Sequence, residues 1–150
     1  MNEAPIQIVR LSDTLPDDFE GLCSEARAEA YRFVESLREE WLAGHYAAGD
    51  DRFAVFAAFI DGELAGVGAL TPDPYDPEPD LLRVRHVYIR PLHRAAGAGR
   101  ALACALIQQG LALAPRLSLR ASDDRAARFW EASGFLPDTN GTRRSHLLAR

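Results

Sequence analysis

The stretch Ile89-Arg90-Pro91-Leu92-His93-Arg94-Ala95-Ala96-Gly97-Ala98-Gly99-Arg100-Ala101-Leu102 decides how this chain is read. Before it, LLRVRHVYI (residues 81–89) reads as a strand that Pro91 stops. After it, RALACALIQQGLALA (100–114) reads as a helix that Pro115 ends. Between them stand Gly97, Gly99 and the small residues Ala95, Ala96 and Ala98. Side chains this small let a ligand approach backbone N–H groups closely. At the first turn of a helix those groups lack partners and the helix dipole adds positive charge, which suits a phosphate. Arg94 and Arg100 flank them. The spacing is R-x-x-G-x-G; it lacks the Lys-Ser/Thr of the Walker pattern and is not G-x-G-x-x-G. A plain glycine loop ahead of a helix carries the same residues, so spacing alone leaves both readings open.

Working outward, residues 117–121 read as a strand, and Ser122 or Asp123 caps a helix that Gly134 closes. Phe135 starts a short strand, 138–143 turn, and 145–149 form the last strand. Upstream, FAVFAAFI (53–60) and residues 63–70 flank Asp61-Gly62, a strong hairpin signal because both turn residues tolerate positive φ. Residues 71–80, TPDPYDPEPD, read as a stiff acidic loop. Ile6, Ile8 and Val9 mark a first strand. Asp17 with Glu20 has capping-box spacing, and apolar residues from Phe19 to Trp41 recur in steps of three and four. That pattern, ended by Gly44 and Gly49, is long enough for two helices, with no residue that places the break. The order is strand, one or two helices, hairpin, strand, helix, strand, helix and two strands, which implies a sheet with parallel and antiparallel pairs.

The 150 residues fit one domain, 1–150. At 47% hydrophobic and 26% charged, the chain is too apolar for a disordered protein. No apolar stretch approaches the ~20 residues that span a bilayer, and MNEAPIQIVR lacks the basic region and apolar core of a secretory signal. Cys23 and Cys104 both fall in helix-like apolar patterns and read as reduced core residues, which points to the cytoplasm. The four His and two Cys have no metal-ligand spacing. The net charge of −5 disfavours nucleic acid as a partner. All 17 basic residues are Arg, and they are unevenly placed: residues 1–80 hold 18 acids and 5 Arg, residues 81–150 hold 4 acids and 12 Arg. Either the two halves attract each other within the domain, or the basic half holds an anion and the acidic half receives a cation.

Arg94-x-x-Gly97-x-Gly99 after a strand ending Ile89-x-Pro91 resembles the acetyl-coenzyme A signature of the GNAT acetyltransferases. Asp123-Asp124-Arg125-Ala126-Ala127-Arg128-Phe129-Trp130-Glu131-Ala132-Ser133-Gly134-Phe135 resembles the family's second motif, N-x-x-A-x-x-F-Y-E-x-x-G-F, and the 61–66 hairpin is similar to its β2–β3 turn. The resemblance covers almost the whole chain. It implies an α/β fold: a mixed, mostly antiparallel sheet of about six to seven strands flanked by helices on both faces. It also implies transfer of the acetyl group of acetyl-CoA directly to an amine of a small molecule or protein, by a monomer or homodimer with no metal. Backbone groups of Val87, Tyr88 and Ile89 would pair with the thioester and pantetheine, the last as an added strand pairs with a sheet edge. N–H groups from Arg94, Ala95, Ala96, Gly97, Ala98 and Gly99 would cradle the pyrophosphate, with Arg94 and Arg100 adding charge.

The departures from the family pattern are informative. Ala95 stands for a frequent Gly, which requires a negative φ here. Asp123 replaces an Asn and loses its amide donor. Trp130 occupies the place of the Tyr that often protonates the departing thiolate, and an indole N–H is no acid at neutral pH. Tyr88 is a substitute by residue type; solvent is another. A thiolate leaving group with a pKa near ~8.5 can also depart without a strong acid. The amine needs a base, for which His86, Glu40 and His146 are the candidates. A backbone N–H near Val87 would meet the oxyanion. Trp41, Tyr31, Phe33 and Tyr46 read as core or as acceptor-pocket residues, and Glu35, Glu39, Glu40 with the 73–80 loop suit a cationic acceptor. A non-catalytic acyl-CoA sensor, with Trp130 marking lost activity, is the alternative. A nucleotide-phosphate binder would explain 94–99 but not 123–135.

Overall fold

A computed structural model describes residues 5–47, 49–140 and 143–150. Its elements, in chain order, are β1 (Ile6–Arg10), α1 (Phe19–Ala28), α2 (Phe33–Leu42), β2 (Ala54–Ile60), β3 (Glu63–Pro72) and β4 (Leu81–Ile89). A short 3-10 turn at Pro91–His93 leads to α3 (Ala98–Leu113), β5 (Arg116–Leu119), α4 (Asp124–Ala132), β6 (Leu136–Pro137) and β7 (His146–Ala149). The strands form one seven-stranded sheet in the order β1-β2-β3-β4-β5-β7-β6. Only β4 and β5 run parallel. The mixed, mostly antiparallel sheet is therefore the expected one.

Strand alternation builds two apolar layers. Val55, Ala57, Val67 and Ala69 join Leu22, Val34 and Leu37 of α1 and α2 on one face. Ala54, Leu70, Leu82 and Val84 join Leu102 and Leu106 of α3 on the other. Asp61 and Gly62 both have positive φ, as the hairpin reading required. α3 begins at Ala98, two residues before the expected start, and β5 stops at Leu119 because the Ser145 hydroxyl takes the Ala121 N–H at 2.8 Å.

The helical break missing from the sequence reading lies at residues 29–32. The Ala30 N–H donates to the Arg27 carbonyl and the Tyr31 N–H to that of Ala26, both at 2.9 Å. This is the Schellman closure, with Ala30 at φ 68° in the position where Gly usually signals it. α2 ends in the same way on Gly44, whose φ is 86°. Two other expectations are corrected. Asp18, not Asp17, precedes α1, and it makes no side-chain cap because its carboxylate pairs with Arg90. Cys23 is buried but Cys104 is exposed on α3; both are free thiols. No helix among the described residues is long and apolar enough to cross a membrane.

Candidate active site

The site begins where β4 and β5 part. Their pairing covers only Leu81↔Arg116, Leu82↔Leu117 and Arg83↔Ser118, so β4 from Val84 onward has no neighbour on that side. On its other side β4 carries a bulge: Val67 pairs with Tyr88 and Ala69 with Arg85, leaving His86 and Val87 opposite Gly68. His86 has φ 59°. Gly68 is needed there, since a Cβ would lie 2.8 Å from Leu106 and 3.1 Å from Val87. The fork opens into a cleft of about 510 Å³, walled by residues 83–89 of β4, by 119–123 and by α4. Such a volume suits a small-molecule site.

One end of the cleft is made of backbone. Ala95 has φ 66° and Gly97 φ 91°, with Ala96 between them at negative φ. This alternation turns successive N–H groups into a concave anion seat ahead of the first α3 turn. The expected negative φ at Ala95 is thus corrected: the loop holds an Ala where Gly would be unstrained. A Cβ on Gly99 would sit 3.6 Å from Ile89 and 3.7 Å from Phe129, so the missing side chain keeps the floor open. Of the N–H groups read as a pyrophosphate cradle, that of Arg94 already donates to the Pro91 carbonyl.

Arg94 does not point freely into the seat. Its guanidinium donates to both Glu29 oxygens, at 2.9 and 2.6 Å, and to the Ile89 carbonyl at 3.0 Å. These bonds hold the Glu29 carboxyl below the ordinary carboxylate range. The Tyr88 hydroxyl also donates to Glu29. Burial, and then that carboxylate, push the Tyr88 phenol well above its usual value, which makes it a poor acid. Arg100 is exposed and makes no ion pair among the described residues.

The other end is made of side chains. The His86 Nε2 lies 3.1 Å from Glu40 Oε1, which also accepts from the Tyr46 hydroxyl at 2.7 Å. Arg85 donates to the second Glu40 oxygen at 3.1 Å. Burial alone would raise Glu40, but the bonds from His86 and Tyr46 and the Arg85 charge bring it down to about 2. An ionised carboxylate can only accept, so the His86 Nε2 is the donor in this bond. His146 is different: its Nδ1 meets Ser145 at 2.7 Å and its Nε2 meets Glu131 at 2.8 Å, which leaves neither nitrogen for a substrate.

Asp123 serves as the N-cap of α4, accepting from Ala126 N–H at 2.8 Å, and its other oxygen accepts from Tyr31 at 3.4 Å. Trp130 lines the cleft but is mostly core, edge-on to Phe129 and Phe135 with centroids at 5.0 and 5.6 Å. Tyr31 and Phe33 also line the cleft, whereas Trp41 and Tyr46 stack on each other behind it. Of the carboxylates read as suited to a cationic acceptor, Glu35 pairs with Arg27, Glu39 points to solvent and Glu40 is held by His86 and Arg85. Six second-half arginines, at 83, 85, 90, 94, 116 and 144, pair with first-half acids, so much of the charge asymmetry joins the halves. No group of described residues could hold a metal ion.

The family model described as Acetyltransferase (GNAT) family matches residues 13–135. The chain belongs to the GNAT acetyltransferase family. Among solved structures this GNAT chain is similar to a protein assigned as an acetyltransferase in Exiguobacterium sp. 255-15, at 23% identity and TM-score 0.85 over 97% of this chain and 93% of that one. An acetyltransferase from Streptococcus agalactiae 2603 follows at 15% identity and TM-score 0.74, covering 97% and 98%. A Salmonella typhimurium protein solved with its cofactor acetyl-CoA has 12% identity and TM-score 0.68 over 95% and 93%. At these identities the likeness is one of fold. No curated protein matches the chain in sequence. The residues that sequence reasoning missed are Glu29, which anchors Arg94, and Tyr75 on the 71–80 loop; neither has a local spacing that would reveal its distant partner.

Proposed function

We propose that this protein is an N-acetyltransferase in which acetyl-CoA binds along the β4–β5 fork and His86 takes the proton of an amine acceptor. Acetyl-CoA supplies a thioester acetyl group with a stable thiolate leaving group. The chain's part is to seat the pyrophosphate on the Ala95–Gly99 amides and to offer the open edge of β4 to the pantetheine arm. The bulge aims His86 and the Val87 backbone at the reacting end of that arm. Glu40 fixes the His86 tautomer, and its charge favours the imidazolium formed when the amine is deprotonated. The observation that carries this reading is the His86–Glu40 pair at 3.1 Å on a bulge that opens into the cleft. Two free thiols support a cytoplasmic setting.

Trp130 favours one second reading, an acetyl-CoA sensor. Trp130 lines the cleft, and its indole N–H, a donor without acidity, has no partner among the described residues. Following CoA release across a panel of amines separates the two. Release that depends on an amine, and on His86, supports the enzyme. Tight acetyl-CoA binding with no release for any amine supports the sensor.

A further inference from the structure

Five arginines and two carboxylates line the cleft, and most are already compensated. Arg83 pairs with buried Asp73 at 3.3 Å, Arg85 with Glu40 at 3.1 Å and Arg94 with Glu29 at 2.6 Å, while Asp123 caps α4. Arg120 and Arg125 remain without an ion pair among the described residues. Arg120 belongs to the acceptor end. Leu117 and Leu119 face the α3 layer and Ser118 the opposite side, with Arg83, Arg85 and His86; Arg120 follows β5 and lines the cleft. The last β4–β5 pair is Arg83↔Ser118, so Arg120 stands two residues beyond it, in the wall of the same cleft as Arg85 and His86. The phosphate seat lies farther along the cleft: at about 3.3 Å per residue, β4 separates Arg85 from Ile89 by ~13 Å.

A second arginine stands at the same end. The Tyr75 ring, partly exposed in the cleft wall, lies between the guanidinium groups of Arg83 at 4.8 Å and Arg143 at 5.0 Å. Arg143 is exposed and makes no ion pair among the described residues, and the Arg83 guanidinium donates to its carbonyl at 2.9 Å. Among the described lining residues without an ion pair, Arg120 and Arg125 outnumber Asp123, whose oxygens accept from Ala126 and Tyr31, so the uncompensated charge of the lining is positive.

Resting on the acetyltransferase reading, we infer that the acceptor is a small primary amine that also carries an anionic group, its amine at His86 and its anion between Arg120 and the Tyr75–Arg143 rim. Carboxylate and phosphate share this chemistry. The test measures equilibrium binding to the CoA-loaded protein, by calorimetry, of four short amines: β-alanine, O-phosphoethanolamine, ethanolamine and 1,3-diaminopropane. Acetyl transfer to each is followed in parallel. The anionic pair is expected to bind at least about tenfold more tightly than the other two, as one added charge-assisted contact allows. The order within the pair shows whether carboxylate or phosphate is the better fit. Arg120→Gln, at an exposed position, should remove that preference when CoA is kept saturating. Binding of the neutral or cationic amine as tightly as the anionic pair, or an unchanged preference in Arg120→Gln, overturns the inference. Anion-selective binding without any transfer upholds it and overturns the acetyltransferase reading instead.

Discussion

The two ends of the cleft are built in different ways. At the proposed phosphate end, one continuous segment does the work: residues 95–99 combine positive φ at Ala95 and Gly97 with a missing side chain at Gly99. At the acceptor end, α2 gives Glu40, β4 gives Arg85 and His86, the 71–80 loop gives Tyr75 and the residue after β5 is Arg120. A backbone site is written in local spacing. A side-chain site is written in tertiary contacts between residues as far apart as 40 and 86. The first tolerates changes of side chain so long as φ and space are kept; the second fails when one donor is lost.

Substitutions can separate the ends. The largest effect is expected from His86→Gln, which should lower kcat by about 10²–10⁴-fold, the usual worth of a positioned base, while acetyl-CoA affinity stays near that of the parent. A fall in affinity with unchanged kcat would move His86 to the cofactor's side. Gly99→Val should do the reverse. Its methyl groups close the floor beside Ile89 and Phe129, and two lost charge-assisted bonds at about 1.5–3 kcal/mol each imply at least a ~100-fold weaker acetyl-CoA complex by calorimetry.

Glu40→Gln tests how firmly the acceptor end is wired. The folded value of about 2 lies below the ordinary 4.5. Ionised Glu40 therefore stabilises the fold fully above about 4.5, and this contribution is lost as pH falls from 4.5 towards 2. Urea unfolding should show the parent more stable than Glu40→Gln at pH 7, with the gap narrowing across that window. A gap independent of pH would assign Glu40 a packing role only. The smallest effects are expected at the two strained alanines. Ala30→Gly and Ala95→Gly each relieve a left-handed conformation of about 1–2 kcal/mol, partly offset by the freer unfolded chain. A rise in Tm of about 2–4 °C per ~1 kcal/mol is the expected readout for a chain of this size.

Legibility in the sequence follows the same division. The Asp61-Gly62 turn, the boundaries of β4 and an α4 cap at Ser122 or Asp123, which proves to be Asp123, were readable because each depends on neighbours in the chain. The α1–α2 break was not, because Ala30 occupies a conformation that usually announces itself with Gly. Ala95 hid its positive φ for the same reason. His86 was readable as a candidate base by residue type, but its bulge and its Glu40 partner depend on strand register and helix packing. His146, the less favoured histidine in sequence, lies on β7 with both nitrogens engaged and does not line the cleft. The charge split suggested either attraction between the halves or a cation site in the acidic half; first-half carboxylates such as Glu29 and Asp80 meet Arg94 and Arg116 of the second half.

A crystal structure with acetyl-CoA bound tests the division most directly. The account expects the pyrophosphate on the Ala95–Gly99 amides, the pantetheine arm between residues 84–89 and 119–123, and the thioester beside Val87 within reach of His86. A pyrophosphate seated at Arg83, Arg85 and Arg120, with the thioester at the 94–99 loop, would contradict it.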